Sequence, residues 1–169
     1  MTLARVELRR LAPDEVELHR DLRLRALLDA PDFFGETAAE AAARSRAYWE
    51  ELTRAVTAPG GQAMFLACED EHAIGTVYAL LDRERSDAGR VGGMWVEAAW
   101  RGQGVGRRLL LEVLGWARAR GLARLGLWAP AHSPAAIALY SRAGFRDTGA
   151  RRTLPGNASL HLVAMEADL

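Results

Sequence analysis

The chain has 169 residues, half of them hydrophobic and 26% charged. That balance excludes global disorder, and the length fits one domain that buries its core without disulfides. Twenty-two acids offset twenty-two bases, all of them Arg, so the chain lacks the positive excess of a nucleic-acid binder; a single cysteine, Cys68, excludes an intramolecular disulfide framework and a multi-cysteine zinc site.

Arg5 to Leu11 alternates, with Val6 and Leu8 on one face, and predicts a half-buried strand. Pro13 opens a helical stretch in which Leu18, Leu22 and Leu28 fall near one face, and Pro31 stops it. Thr37 and Glu40 have capping-box spacing and start an Ala-rich helix reaching Val56, with Tyr48, Trp49 and Leu52 expected inside. Pro59-Gly60-Gly61 ends that helix. Met64–Cys68 and Ile74–Leu81 flank the polar turn Glu69 to His72 and predict a β-hairpin. A polar loop from Asp82 to Gly89 leads to a strand over Val91–Val96. Gly104–Arg120 is a strong helix, because Val105, Leu109, Val113 and Trp116 recur at helical spacing and Gly121 supplies the stop. Leu125–Ala129 predicts a strand. Ser133-Pro134 predicts an N-cap with Pro at the first helical position, in a helix ending at Gly144. Strands over Arg146–Thr153 and Ser159–Ala167 are joined by a Leu154-Pro-Gly-Asn157 turn.

The order β-α-α-β-β-β-α-β-α-β-β has one parallel crossover, strand 91–96 to strand 125–129 through helix 104–120. The expected fold is mixed three-layer α/β: about seven strands, mostly antiparallel, with about four helices on both faces. No repeat or linker divides the chain, so residues 1–169 read as one domain. No window approaches the ~20 apolar residues of a membrane span. Met1 to Glu7 hold no apolar signal region, so the expected compartment is the cytoplasm, with no membrane or nucleic-acid partner.

The chemically informative stretch is Arg101-Gly102-Gln103-Gly104-Val105-Gly106-Arg107-Arg108, between a strand and an amphipathic helix. Three closely spaced glycines let backbone approach a bulky group. The helix start beyond them offers unpaired N–H donors and partial positive charge, a cradle for phosphate or pyrophosphate. Arg101, Arg107 and Arg108 add formal charge where the helix dipole disfavours it, which points to an anionic ligand rather than a plain turn. The dinucleotide fingerprint fails because position 107 is Arg, and the P-loop fails because the chain has no Lys.

The stretch Met94 to Leu110, with Arg101, Gly104 and Gly106 in the pattern R/Q-x-x-G-x-G/A, is followed by Ala136-Ile-Ala-Leu-Tyr140-Ser-Arg-Ala-Gly144-Phe145. Together these resemble the GNAT acetyltransferase superfamily. The resemblance implies acetyl-CoA as co-substrate, no metal, and direct attack of an amine in a ternary complex. It implies that strand 91–96 splays from strand 125–129, that backbone groups of Met94, Trp95 and Val96 hold the pantetheine arm as a peptide adds to a sheet edge, and that amides from Gln103 to Arg108 hold the pyrophosphate. Tyr140 would protonate the leaving thiolate. Ser133 stands where the family often has a cofactor-contacting Asn, and Glu97-Ala98 replaces its common Asp-Pro. Val91-Gly92-Gly93 carries no acid, so the base candidates are Glu36, Glu97, His132, His161 or a water chain. The family's acceptor pocket maps to Phe33, Phe34, Trp95, Trp128 and the 153–159 turn, with no ring of acids that would announce a polycation. His19, His72, His132 and His161 show no metal-ligand spacing, and Cys68 reads as a buried inert thiol. A small-molecule amine is favoured over a protein N-terminus or lysine, and the family often forms homodimers. The competing reading is an acyl-CoA-binding regulator without turnover.

Overall fold

The computed structural model describes residues 6–169; Arg5, the expected start of the first strand, lies outside them. Seven strands form one sheet in the order β1-β2-β3-β4-β5-β7-β6. They are β1 Val6–Arg10, β2 Ala63–Glu69, β3 His72–Leu81, β4 Ala88–Val96, β5 Arg124–Pro130, β6 Arg146–Leu154 and β7 Asn157–Asp168. The helices are α1 Val16–Asp29, α2 Ala38–Ala42, α3 Arg46–Thr57, α4 Val105–Ala119 and α5 Pro134–Arg142. Every strand pair is antiparallel except β4 with β5.

The sheet separates two packed layers. One face carries α4 and α5 over Phe65, Ile74, Val77, Val91, Leu125, Leu127 and Met165. The apolar stripe of α4 supplies wholly buried Leu109, Leu110 and Val113, each stabilising the fold by about 1.5–3 kcal/mol through burial. The other face carries α1, α2 and α3 over Met64, Leu66 and Trp95.

Three local expectations are corrected. Helix α1 begins at Val16 rather than at Pro13, because the Glu15 carboxylate accepts from Ala12 N–H at 2.8 Å and from Arg9, holding the chain in a turn first. The helix expected over 37–56 is two helices. Thr37 and Glu40 do form a capping box, but Ser45 is extended and caps a new helix by accepting from Tyr48 N–H at 3.1 Å. Leu28 is 73% exposed, and the interior side of α1 carries His19, Leu22, Ala26 and Leu27 instead.

Two features of β4 position the site. Its pairing with β5 covers only Ala88, Gly89 and Arg90, against Arg124, Leu125 and Gly126. From there β4 continues to Val96 and β5 to Pro130 without further pairing, so the sheet opens between them. The second feature is an irregularity. The register against β3 shifts between Thr76 and Tyr78, and Gly93 sits at φ +54°, a left-handed conformation that glycine adopts without strain.

Candidate active site

The glycine bend before α4 forms where the sequence places it. Gly102 (φ +73°) and Gly104 (φ +86°) are both left-handed, and Gly104 is the N-cap of α4. The first helical hydrogen bond from this end runs from Arg108 N–H to Gly104 O at 3.1 Å, so the amides of Val105, Gly106 and Arg107 precede the helical ladder. No acid occupies the first turn of α4. A Cβ placed on Gly102 would meet nothing within 4 Å, so the bend is open rather than plugged. At Gly106 it would lie 3.4 Å from Leu139 Cδ2 and 3.8 Å from Val96 Cγ2, which brings the start of α4, helix α5 and the end of β4 together at the mouth of the β4–β5 opening.

The side chains beside the cradle are partly committed. Gln103 Nε2 donates to Ala99 O at 2.8 Å. Arg101 donates through Nε to Val96 O at 2.9 Å and pairs with Asp29. Asp29 also accepts from Trp95 Nε1 at 2.8 Å, so the end of α1 is tied to the end of β4. Among the cradle arginines, Arg107 is exposed and Arg108 half-buried.

Tyr140 lies in the last turn of α5, 7% exposed, with its ring edge-on to Phe145 at 6.0 Å. Burial pushes its hydroxyl up to about 12, so it holds its proton at neutral pH. Ser133 caps α5, accepting from Ala136 N–H at 3.2 Å.

The two carboxylates considered as bases sit in ion pairs. Glu97 lies 2.8 Å from Arg25 and 2.9 Å from His72. Glu36 lies 3.2 Å from Arg23 and 3.5 Å from Arg44. His132 packs edge-on against Phe33 at 5.3 Å, joining the loop after α1 to the loop after β5. A Cβ on Gly35 would come within 2.9 Å of Pro155, so the β6–β7 turn closes on the same loop. Phe34 packs under the Arg23 guanidinium at 4.9 Å, and Trp128 under Arg152 at 4.2 Å. The loop after α1, the loop after β5 and the β6–β7 turn thus converge. His161 pairs with Thr153 across the β6–β7 hairpin, near that turn. Cys68 is buried on β2, and burial pushes its thiol up.

Sequence reading missed a buried polar chain next to the glycine irregularity. His19 is wholly buried; its Nδ1 is 2.9 Å from Thr53 Oγ1 and its Nε2 2.6 Å from Tyr78 Oη. Burial, aided by the Arg23 charge, pushes His19 down to about 4, so the imidazole is neutral at pH 7. The only available signal was a histidine on the apolar side of α1. Among the described residues, no group of three or more His, Cys, Asp or Glu is placed to hold a metal, and no helix is long and apolar enough to cross a membrane.

Residues 23–145 match the model of the Acetyltransferase (GNAT) family, and the chain belongs to that family of acetyl-transferring enzymes. It is 34% identical over 106 residues to an aminoglycoside N(6')-acetyltransferase type 1 from Stenotrophomonas maltophilia, across 59% of this chain and 69% of that protein. The fold is similar to that of a GNAT-family acetyltransferase from Streptococcus pneumoniae, with a TM-score of 0.81 at 20% identity over 97% of this chain and 99% of that one. It is also similar to a ribosomal-protein-alanine N-acetyltransferase from Brucella melitensis, with a TM-score of 0.76 at 21% identity over 96% and 99% of the two chains.

Proposed function

We propose that the chain transfers the acetyl group of acetyl-CoA to a primary amine, by direct attack while both substrates are bound. The observation that carries this is the open α4 N-terminus at the mouth of the β4–β5 opening, lined by glycines and free of acids. The amides from Gln103 to Arg108 would hold the pyrophosphate, with Arg107 and Arg108 adding charge. The backbone of Met94 to Val96, left without a β5 partner, would hold the pantetheine arm. Arg101 would act chiefly as a strut, since its guanidinium is taken by Asp29 and Val96.

Acetyl-CoA supplies a thioester carbonyl open to attack by a neutral amine. Tyr140, protonated at working pH, would pass its proton to the departing sulfur. The ammonium would first lose its proton to water leading to bulk solvent, because Glu36 and Glu97 are each held in ion pairs. A small-molecule acceptor fits the name of the Stenotrophomonas maltophilia relative. A polycationic one fits less well, since Glu36, Glu97 and Asp29 are all matched by arginines.

The test is thiol release from acetyl-CoA across a broad amine panel. Turnover is expected, and Tyr140→Phe should slow it about 10–100-fold, at or below the usual general-acid factor of about 10²–10⁴. Tight CoA binding with no release above background for any amine would favour the regulator instead.

A further inference from the structure

Beside the β4–β5 opening, β4 carries two successive glycines covered by side chains of β3. Gly93 and Gly92 are the fourth and fifth residues from the end of β4, with Gly92 opposite Tyr78 on β3. A Cβ on Gly93 would fall 2.4 Å from Tyr78 Cδ2, so the tyrosine ring lies directly on the glycine backbone. Tyr78 is half-buried, and its oxygen is held by His19 at 2.6 Å.

The direction of the hydrogen bonds follows from Thr53. This residue is wholly buried, and among the described residues His19 Nδ1 is the one partner of its hydroxyl. If Nδ1 carried the ring proton, the Thr53 hydrogen would be buried without an acceptor, the situation folded proteins avoid. Thr53 therefore donates to Nδ1, the ring proton sits on Nε2, and Nε2 donates to Tyr78 Oη. The Tyr78 hydrogen is left at the end of the chain, a donor with no acceptor among the described residues.

The charged groups that act on that donor are Arg23 and its ion-pair partner Glu36. Arg23 lies close enough to act on both Tyr78 and His19. It holds Glu36 through Nε and Nη2 at 3.2 Å each, while its Nη1 has no hydrogen-bond partner among the described residues. Arg44 shares the same Glu36 carboxylate. One carboxylate thus faces two guanidinium groups.

We infer that the acceptor amine carries a carboxylate, and that the Tyr78 hydroxyl, aimed by the Thr53–His19 pair and supported by Arg23, donates the hydrogen bond that holds it. This rests on the acetyl-transfer reading and adds a substrate class to it. Tyr78 is here a specificity-determining residue, and His19 and Thr53 are positioning residues.

The experiment measures thiol release for matched amines with and without the carboxylate: phenylalanine against 2-phenylethylamine, and leucine against isoamylamine. The wild-type enzyme should favour the carboxylate member of each pair in kcat/KM. In Tyr78→Phe that preference should fall about tenfold or more, through the KM of the amino acid, with the KM of acetyl-CoA unchanged; a hydrogen bond to a charged group is worth that much. Should Tyr78→Phe fail to fold, Thr53→Val should lower the preference while Thr53→Ser retains it, because only serine keeps the donor that fixes the imidazole proton. Equal use of both members by the wild type, a preference that survives Tyr78→Phe, or identical behaviour of the two Thr53 variants would overturn the inference and leave acetyl transfer standing. No release with any amine would remove both.

Discussion

His19 shows how one buried side chain couples packing to pH. Its pKa falls from 6.5 to about 4 on folding, chiefly through burial. Between those values the unfolded chain binds a proton that the folded one does not, so stability should be full above about pH 6.5 and decline as the pH drops toward 4. The gap corresponds to roughly 3 kcal/mol. Denaturant titrations of the wild type and His19→Gln at pH 7 and pH 4 check this: the pH-dependent loss should shrink in the variant, and an equal loss in both would assign it to other groups. Gly104 acts through backbone alone. At φ +86° it opens α4 in a conformation a branched side chain resists, so Gly104→Val should abolish CoA binding, measured by calorimetry, while circular dichroism shows the fold retained. Unchanged affinity would contradict the placement of the pyrophosphate.

Elements are joined here by polar ties as well as by apolar faces. Asp29 closes α1 and accepts from Trp95 Nε1, whose side chain is 5% exposed on β4. Removing the acceptor with Asp29→Ala leaves an indole N–H unpaired inside the protein and frees Arg101, at a cost of about 1–3 kcal/mol. Thermal denaturation reads this directly, and an unshifted melting temperature would mean the tie is not structural. The division between α2 and α3 has the same local origin. Two good N-caps, Thr37 and Ser45, stand in one Ala-rich segment, and each satisfies donors that an unbroken helix would have used differently. Periodicity sees the apolar residues on both sides and reads through the break, because alanine fits either outcome.

At the level of the whole molecule, the β4–β5 opening is a defect that the sheet tolerates because layers on both faces hold the two halves. α4 packs on β2, β3, β4 and β5 with a continuous buried stripe, and β5 is zipped to β7 over its full length. A ligand bridging the opening should therefore stabilise the fold as a unit. At a hundred times its dissociation constant, CoA should add about 2.7 kcal/mol and raise the melting temperature by about 5–10 °C for a chain of this size. A melting temperature indifferent to CoA would count against the cradle.

The helix α4, its glycine entry, the hairpin turn at Asp70-Glu71, the Ser133 cap and the single parallel crossover were all legible along the chain. Each depends on neighbours a few residues apart, whose spacing carries periodicity, capping and turn chemistry. The polar ties were not. His19 meets Thr53 and Tyr78 across 34 and 59 positions, and Asp29 meets Trp95 and Arg101 across 66 and 72. Which side chain faces which across two layers is set by register, by the shift at Gly93 and by how α1 docks, and no local pattern encodes those. The chain order thus determined the fold class and the glycine entry to α4, whereas packing between distant segments decided which acids are already paired and which hydroxyl is left with a hydrogen to give.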